Sequence, residues 1–190
     1  MLQQCASHVV DALYKSSTLD TARRPIYQYA TELTLSTIAA AISVLLLAAL
    51  LGNALWGVIF LVVFISLRLP GGGYHASTYR NCFVLTNGVF LSSFIAAALL
   101  NQISNGIVFF VLLGSCATIW ILAPIPNPHH PVSKQTLCKN KHIVRGMVVV
   151  GAAFTLLGAF FSFHSLFSIY SASVAAVAAM MILAKLRGGI

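Results

Sequence analysis

Residues Leu33–Leu51 read LTLSTIAAAISVLLLAALL, a run that contains no charged side chain. A helix needs about 20 apolar residues to cross the hydrocarbon core of a bilayer, and this run supplies nearly that length. A helix on the surface of a soluble protein would show a polar face instead. The run therefore predicts a transmembrane helix.

Five further apolar stretches follow, each bounded by polar residues, glycine or proline. They are Asn53–Leu67, Phe83–Leu100, Ile107–Ala123, Met147–Phe163 and Leu166–Ala184. The first of these five corresponds to roughly 22 Å of helix, which is short for a core of about 30 Å. Either the bilayer is thinner there, or the chain around Arg68 lies inside the membrane boundary. The sequence predicts an all-α integral membrane protein with about six transmembrane helices, as a single domain over residues 1–190.

The composition supports this fold class and excludes others. Of the 190 residues, 59% are hydrophobic and 7% are charged, whereas about a quarter of a soluble domain is charged. The mean hydropathy of +0.92 also excludes a disordered chain. The net charge is +8, but almost no soluble part remains on which to mount a nucleic-acid-binding face. We therefore expect no nucleic-acid partner, and we assign the basic excess to topology and to anionic lipids of the inner leaflet.

The positions of the basic residues predict the orientation in the membrane. Lysine and arginine occur before the first span, between the second and third, between the fourth and fifth, and after the sixth. They are Lys15, Arg23, Arg24, Arg68, Arg80, Lys134, Lys139, Lys141, Arg145, Lys185 and Arg187. The other connections contain neither residue. The positive-inside rule then places both termini and a basic loop, 124–146, in the cytoplasm.

Residues 1–28 precede the first span, and their first part has an amphipathic pattern. Its apolar residues recur at helical spacing: Leu2, Cys5, Val9, Ala12 and Leu13. The pattern favours an interfacial helix on the inner leaflet, and equally a helix that docks on the rest of the protein. Because the first long apolar run starts only near Leu33, we expect insertion without a cleaved signal peptide.

The segment Arg68–Cys82, RLPGGGYHASTYRNC, is the least membrane-like part of the first half of the chain. Three glycines after Pro70 extend a helix poorly and suit a close approach of the backbone to a ligand. On one straight helix His75 and Cys82 would lie about 10.5 Å apart along the axis. A Cys–His pair therefore requires a bend, a loop, or a helix that begins close to Cys82.

The surroundings of Cys82 favour a reactive thiolate. A nearby imidazolium, a cation or a helix N-terminus activates a cysteine at neutral pH. Cys82 opens the third span, where the helix dipole favours an anion, and Arg68 and Arg80 add positive potential. The alternative is a packed cysteine beside a glycine turn, with His75 simply at the interface.

This segment is similar to the signature of the accessory gene regulator B (AgrB) family, which are membrane cysteine endopeptidases of Gram-positive quorum sensing. The residues that match the signature are Arg68, Gly72, Gly73, His75, Ala76 and Cys82. The segment after the fourth span also resembles the family, at Ala123, Pro124, Asn127 and Pro131. The family often has a lysine-rich run there, whereas the lysines of this chain are more scattered. The resemblance covers essentially the whole chain.

The resemblance implies that Cys82 is the nucleophile and His75 the general base. Cys82 would cleave the C-terminal tail from an AgrD-like precursor peptide and retain the rest as a thioester. A cysteine or serine of the precursor would then close a thiolactone or lactone ring. The catalytic segment 68–82 would face the cytoplasm at the cell membrane of a Gram-positive bacterium, and neither a cofactor nor a metal is implied.

Further residues are candidates for binding the substrate or stabilising an oxyanion. They are Arg68, Gly72, Gly73, Arg80, Asn81, Glu32, Lys134, Lys139 and Lys141. Glu32 either orients His75 or is neutralised by Arg23 or Arg24. The lysines either attract an acidic precursor tail or serve topology alone.

A small transporter or channel is the main alternative function. It would require ionisable residues inside the spans, and the sequence has none from the third span to the sixth. A zinc metalloprotease lacks support because no H-E-x-x-H motif occurs. A homodimer stays open, since the glycines within the spans explain packing inside the chain equally well.

Overall fold

The computed structural model describes residues 2–16, 23–72, 78–125, 133–160 and 164–186. Apart from one isolated bridge, the regular structure of these residues is helical throughout. In chain order the helices are α1 (Leu2–Ser16), α2 (Arg24–Leu50), α3 (Ala54–Gly71), α4 (Tyr79–Leu100), α5 (Asn105–Leu122), α6 (Lys134–Phe160) and α7 (His164–Leu186). The prediction of an all-α fold is confirmed.

Five of these helices, α2 to α5 and α7, are long and apolar enough to cross a membrane. They correspond to five of the six predicted spans, with ends that differ by up to nine residues, and the chain fits a multi-pass membrane protein. The predicted fifth span, Met147–Phe163, falls in the second half of α6 and extends beyond the described residues. The number of six spans and the cytoplasmic placement of the termini stay predictions.

Helix α1 docks on α2. Ala6 and Val10 have no exposed surface, and the ring of Tyr14 lies edge-on to that of Tyr27, with centroids 6.3 Å apart. Docking was one of the two predicted alternatives for this segment. Since α2 begins at Arg24, nine residues before the predicted start of the first span, the predicted segment 1–28 comprises α1 and the first turn of α2.

Helix α3 runs past the predicted end of the second span, through Arg68 and Pro70 to Gly71. The N–H of Gly72 donates to the carbonyl oxygen of Arg68 at 3.0 Å and closes the last turn. Gly72 then ends the helix at φ 72° and ψ −149°, a conformation that is essentially restricted to glycine. Arg68 is therefore part of the same helix as the predicted second span, and the two alternatives for its position in the membrane stay predictions.

The predicted basic loop, 124–146, requires a correction because it is helical from Lys134 onward. The Ser133 hydroxyl accepts from the Thr136 N–H at 3.2 Å, and the Ser133 carbonyl accepts from the Leu137 N–H at 3.0 Å. Serine commonly starts a helix in this way. The basic residues that follow have good helix propensity, so they extend α6 toward the bundle end instead of forming a loop.

Helix α7 forms the centre of the bundle, with α3, α4 and α5 packed around it. Small buried residues of α7 let its neighbours approach closely; they are Ser168, Ser171, Ala172, Ser173 and Ala178. The Ser171 hydroxyl donates to the Val108 carbonyl of α5 at 3.3 Å. At the end where α7 starts, the Trp56 indole N–H donates to the Ser165 hydroxyl at 3.1 Å.

At the opposite end, the connection after α3 meets the connection after α5. The Ile125 N–H donates to the Gly71 carbonyl at 2.9 Å, and Gly72 forms an isolated parallel bridge with Ile125. A Cβ atom on Gly71 would lie 2.5 Å from the Cε of Met181, near the end of α7. We call this end of the bundle, where α3, α5 and α7 finish and α4 and α6 begin, the Cys82 end.

We predict that Gly72→Ala destabilises the protein. The added Cβ would lie 2.2 Å from the Ile125 carbonyl oxygen, at a backbone conformation with positive φ. Strain and overpacking together should lower the free energy of unfolding by about 2–4 kcal/mol, measured by denaturation of the detergent-solubilised protein. Gly88→Ala is the matched control because a Cβ there meets nothing within 4 Å, and it should leave stability unchanged or raised. Equal stability of the two variants would contradict the prediction.

Candidate active site

Cys82 lies in the first turn of α4, and its side chain is half-buried. Thr78 starts the helix: its hydroxyl accepts from the Asn81 N–H at 3.2 Å, and its carbonyl accepts from the Cys82 N–H at 2.9 Å. Threonine in this position stabilises a helix start. The structure therefore provides the helix beginning close to Cys82, which was one of the arrangements that a Cys–His pair requires.

Arg68 is a basic residue that interacts with this thiol. It lies in the last turn of α3, with its guanidinium carbon 5.1 Å from the centre of the Phe64 ring, and it interacts electrostatically with Cys82. The aromatic contact restricts where the guanidinium can lie. A cation near a cysteine favours its thiolate form, and this is the role that the sequence predicts for Arg68.

Glu32 is buried in α2, with 7% of its surface exposed. The Gln28 amide donates to its Oε1 at 3.3 Å, and the Tyr79 phenol interacts electrostatically with the carboxylate. Arg24, one of its two predicted neutralising partners, pairs instead with Asp11 of α1 at 2.5 Å. The carboxylate thus faces the start of α4, three residues before Cys82.

An open surface depression of about 410 Å³ lies beside this carboxylate. It is lined by Arg24, Pro25, Gln28, Tyr29 and Glu32. The lining belongs entirely to the first turns of α2, so the depression lies at the Cys82 end of the bundle, on the surface of this one helix.

Two of the predicted site residues, Gly73 and His75, lie outside the described residues. Gly72 is described, and the close backbone approach that its lack of a side chain permits is made to Ile125 of the same chain. The three glycines were predicted to allow a close approach of the backbone to a ligand. At Gly72 the close approach is instead to the connection that follows α5.

The oxyanion candidates Arg80 and Asn81 are exposed in the first turn of α4. The backbone N–H groups of Asn81 and Cys82 are both bonded to Thr78. These two amides already serve the helix start, so the side chains of Arg80 and Asn81 are the better candidates for contacting an oxyanion.

The lysines of the predicted basic loop lie on the first turns of α6, where Lys134, Lys139 and Lys141 are exposed. Val144, one turn further on, lies 3.7 Å from the Cβ position of Gly71. Arg145 has its guanidinium carbon 4.7 Å from the centre of the Trp120 ring. The exposed lysines therefore stand at the Cys82 end of the bundle.

Tyr79 is a residue of this site that the sequence analysis missed. It occupies the first helical position of α4, three residues before Cys82, and residues with that spacing share one face of a helix. The signal available in the sequence was an aromatic residue three positions before the cysteine. No group of three or more histidine, cysteine, aspartate or glutamate side chains suited to a metal ion occurs among the described residues.

Comparison with known proteins identifies the family. The model of the family described as Accessory gene regulator B matches residues 6–185. No curated protein and no solved structure gives a match. The family match extends over nearly the whole chain and includes the segment that carries Cys82. On this basis, the chain belongs to the accessory gene regulator B family.

Proposed function

We propose that this member of a family that processes the precursor peptide of quorum sensing does so as a cysteine endopeptidase. The observation that carries the proposal is the position of Cys82, a half-exposed thiol on the first turn of α4 that interacts electrostatically with Arg68 of α3. Both residues belong to the part of the chain that resembles the family signature, together with His75.

The reaction starts with attack of the Cys82 thiolate on the carbonyl carbon of a peptide bond in an AgrD-like precursor. The C–N bond breaks, His75 supplies the proton to the leaving amine, and the C-terminal tail departs. The remaining peptide is then bound to Cys82 as a thioester. A thiol or hydroxyl within the peptide attacks this thioester and gives its proton to His75. The C–S bond to Cys82 breaks, the Cys82 thiolate leaves, and a thiolactone or lactone ring closes.

Ring closure needs no external energy source because exchange of a thioester between two thiols conserves the acyl bond. It does require that water be kept away from the thioester. The site suits this requirement, since Cys82 is half-buried and α3 and α4 are apolar enough to span a membrane. The protein would work in the cell membrane of a Gram-positive bacterium with Cys82 facing the cytoplasm, an orientation that the distribution of basic residues supports.

The transporter alternative receives no support from the described spans. Their charged side chains, Arg24, Glu32, Arg68, Arg80 and Lys185, lie toward the Cys82 end of the bundle, and His164 lies at the opposite end, where α7 starts. A pathway for ions or protons across the membrane would need such groups along its length.

The first test is coexpression of the protein with a precursor peptide encoded beside its gene, followed by mass spectrometry of the products. Wild type and Cys138→Ala should release the C-terminal tail, because Cys138 is an exposed cysteine of α6 outside the site. Cys82→Ala and His75→Ala should release none. Cleavage by Cys82→Ala would show that Cys82 is not the nucleophile.

Arg68→Gln should slow alkylation of Cys82 by iodoacetamide roughly tenfold, because removal of a nearby cation disfavours the thiolate. Arg68→Lys should fall between this variant and wild type, since it keeps the charge but not the planar group. Lys185→Gln removes an exposed cation of α7 and should alkylate at the wild-type rate. A wild-type rate for Arg68→Gln would exclude an action of this arginine on the thiol.

The exposed lysines of α6 are proposed to attract an acidic precursor tail. Replacing Lys134, Lys139 and Lys141 together by Gln should raise KM about tenfold at low salt while leaving kcat unchanged, because each exposed charge contributes up to about 1 kcal/mol. The difference should shrink as ionic strength rises. Lys15→Gln, on α1, is the control. An unchanged KM would assign these lysines to topology alone.

A further inference from the structure

We propose that Arg145 and Trp120 form a binding site for the phosphate of an anionic phospholipid, where α6 packs against α5. The guanidinium of Arg145 pairs with the phosphate, and the indole ring of Trp120 holds the guanidinium at the boundary between the hydrocarbon core and the lipid headgroups. Such a site is independent of the peptidase reaction proposed above.

Arg145 is held over an aromatic ring and lacks an anionic partner in the described part of the chain. Its guanidinium carbon lies 4.7 Å from the centre of the Trp120 ring, which is the distance of a cation–π contact. Its Nε is buried without a hydrogen-bond partner among the described residues. The two described acidic residues, Asp11 and Glu32, lie on α1 and α2, whereas α6 packs chiefly against α5, α3 and α7. A half-buried cation is costly unless an anion pairs with it, so an anion from outside the chain would stabilise this one.

The face of α6 that carries Arg145 changes from polar to apolar at this residue. Lys141, one turn earlier, and Val149, one turn later, share that face, and both are exposed. Val149 has 56% of its surface exposed, and the predicted fifth span starts at Met147, two residues after Arg145. An exposed lysine before the arginine and an exposed valine after it indicate that the guanidinium lies at the edge of the hydrocarbon core.

Trp120 lies at the same boundary on α5. It is the third residue from the end of that helix and is 39% exposed. Leu113, two turns earlier on the same face, is 41% exposed, so this side of α5 is open to lipid. Tryptophan is enriched at membrane–water interfaces. The two side chains therefore meet at the depth of the headgroups, at the end of the bundle that the basic residues predict to be cytoplasmic.

The phosphate of a phospholipid is the anion that a membrane supplies at this depth. Arginine forms strong, charge-assisted hydrogen bonds with phosphate oxygens. Because Nε is enclosed, the terminal N–H groups of the guanidinium donate these bonds. Lys141 adds a second positive charge nearer the water and favours a lipid with net negative charge. An acidic peptide would arrive from the water and meet the exposed lysines of α6 first, so the position of Arg145 suits a lipid better.

The test uses Trp120 as its own reporter. The chain has two tryptophans, and the other, Trp56, is 5% exposed, so Trp56→Phe leaves Trp120 as the single source of indole fluorescence. The full-length protein is reconstituted in vesicles of equal parts phosphatidylglycerol and phosphatidylcholine, with brominated acyl chains on one lipid or the other. Bromine quenches indole fluorescence on contact, so the two measurements together give the relative affinity of the two lipids for the surface at Trp120.

The variants in this background are Arg145→Gln and Arg145→Lys. We expect a preference for phosphatidylglycerol of about fivefold, as one cation near an anionic headgroup confers, and we expect high salt to reduce it little because a partly buried pair is screened weakly. Arg145→Gln should abolish the preference. Arg145→Lys should keep part of it, since the charge remains without the planar group. Lys185→Gln removes one exposed cation at the same end of the bundle and should keep the full preference.

Equal quenching by the two lipids before any change at Arg145 would overturn the proposal, and so would a preference that Arg145→Gln retains. A preference that disappears at high salt, or that falls equally in Lys185→Gln, would also overturn it, because the surface charge of the whole protein would then be the cause. If pentaglutamate alters Trp120 fluorescence through Arg145 while the lipid preference is absent, the ligand is an acidic peptide and the lipid site is refuted.

A second measurement covers the case in which Trp56→Phe fails to fold. Native mass spectrometry counts the phosphatidylglycerol molecules that stay bound to the detergent-solubilised protein with both tryptophans present. Arg145→Gln should retain one molecule fewer than wild type, whereas Lys185→Gln should retain the same number. Equal numbers for wild type and Arg145→Gln would overturn the proposal.

Discussion

The backbone contact between Gly72 and Ile125 is the constraint on which the Cys82 end of the bundle depends. It joins the connection after α3 to the connection after α5, and both follow helices that pack against α7. Because Gly72 closes the last turn of α3 through the Arg68 carbonyl, the same contact fixes the turn that carries Arg68. Val144 of α6 and Met181 of α7 pack close to Gly71, so four helices meet at this point.

Although acidic residues are few in this basic chain, they contribute to the contacts between its helices. The sequence holds 3 acidic residues against 11 basic ones, and the two that are described both interact with a residue of a neighbouring helix. Asp11 of α1 pairs with Arg24 of α2, while Glu32 of α2 accepts from Gln28 and interacts electrostatically with Tyr79 of α4. Helix α2 therefore takes part in the polar contacts at this end of the bundle, whereas α7 packs at its centre.

The fold was predictable from the sequence wherever apolar runs set it, and less so where polar residues continue a helix. The run Leu33–Leu51 identified the apolar body of α2, but not the turns from Arg24 that carry Glu32 toward Tyr79. The helical start of α6 was missed for the same reason. Its lysines were interpreted as a charged loop, although Ser133 is a residue that commonly starts a helix. Cys82 and Arg68 were identified by motif and spacing. Their relation to Tyr79 and Glu32 depends on contacts between helices that are distant in sequence, which periodicity does not report.

The Gly72–Ile125 bridge also has a consequence for the order of events during synthesis. Ile125 lies 53 positions after Gly72 in the chain, and it follows the whole of α5. Two more helices must therefore leave the ribosome and enter the bilayer before the partner of Gly72 exists. A nascent chain that already carries Cys82 thus cannot yet hold the mature arrangement of its surroundings, and this end of the bundle is completed only once most of the protein has been synthesised.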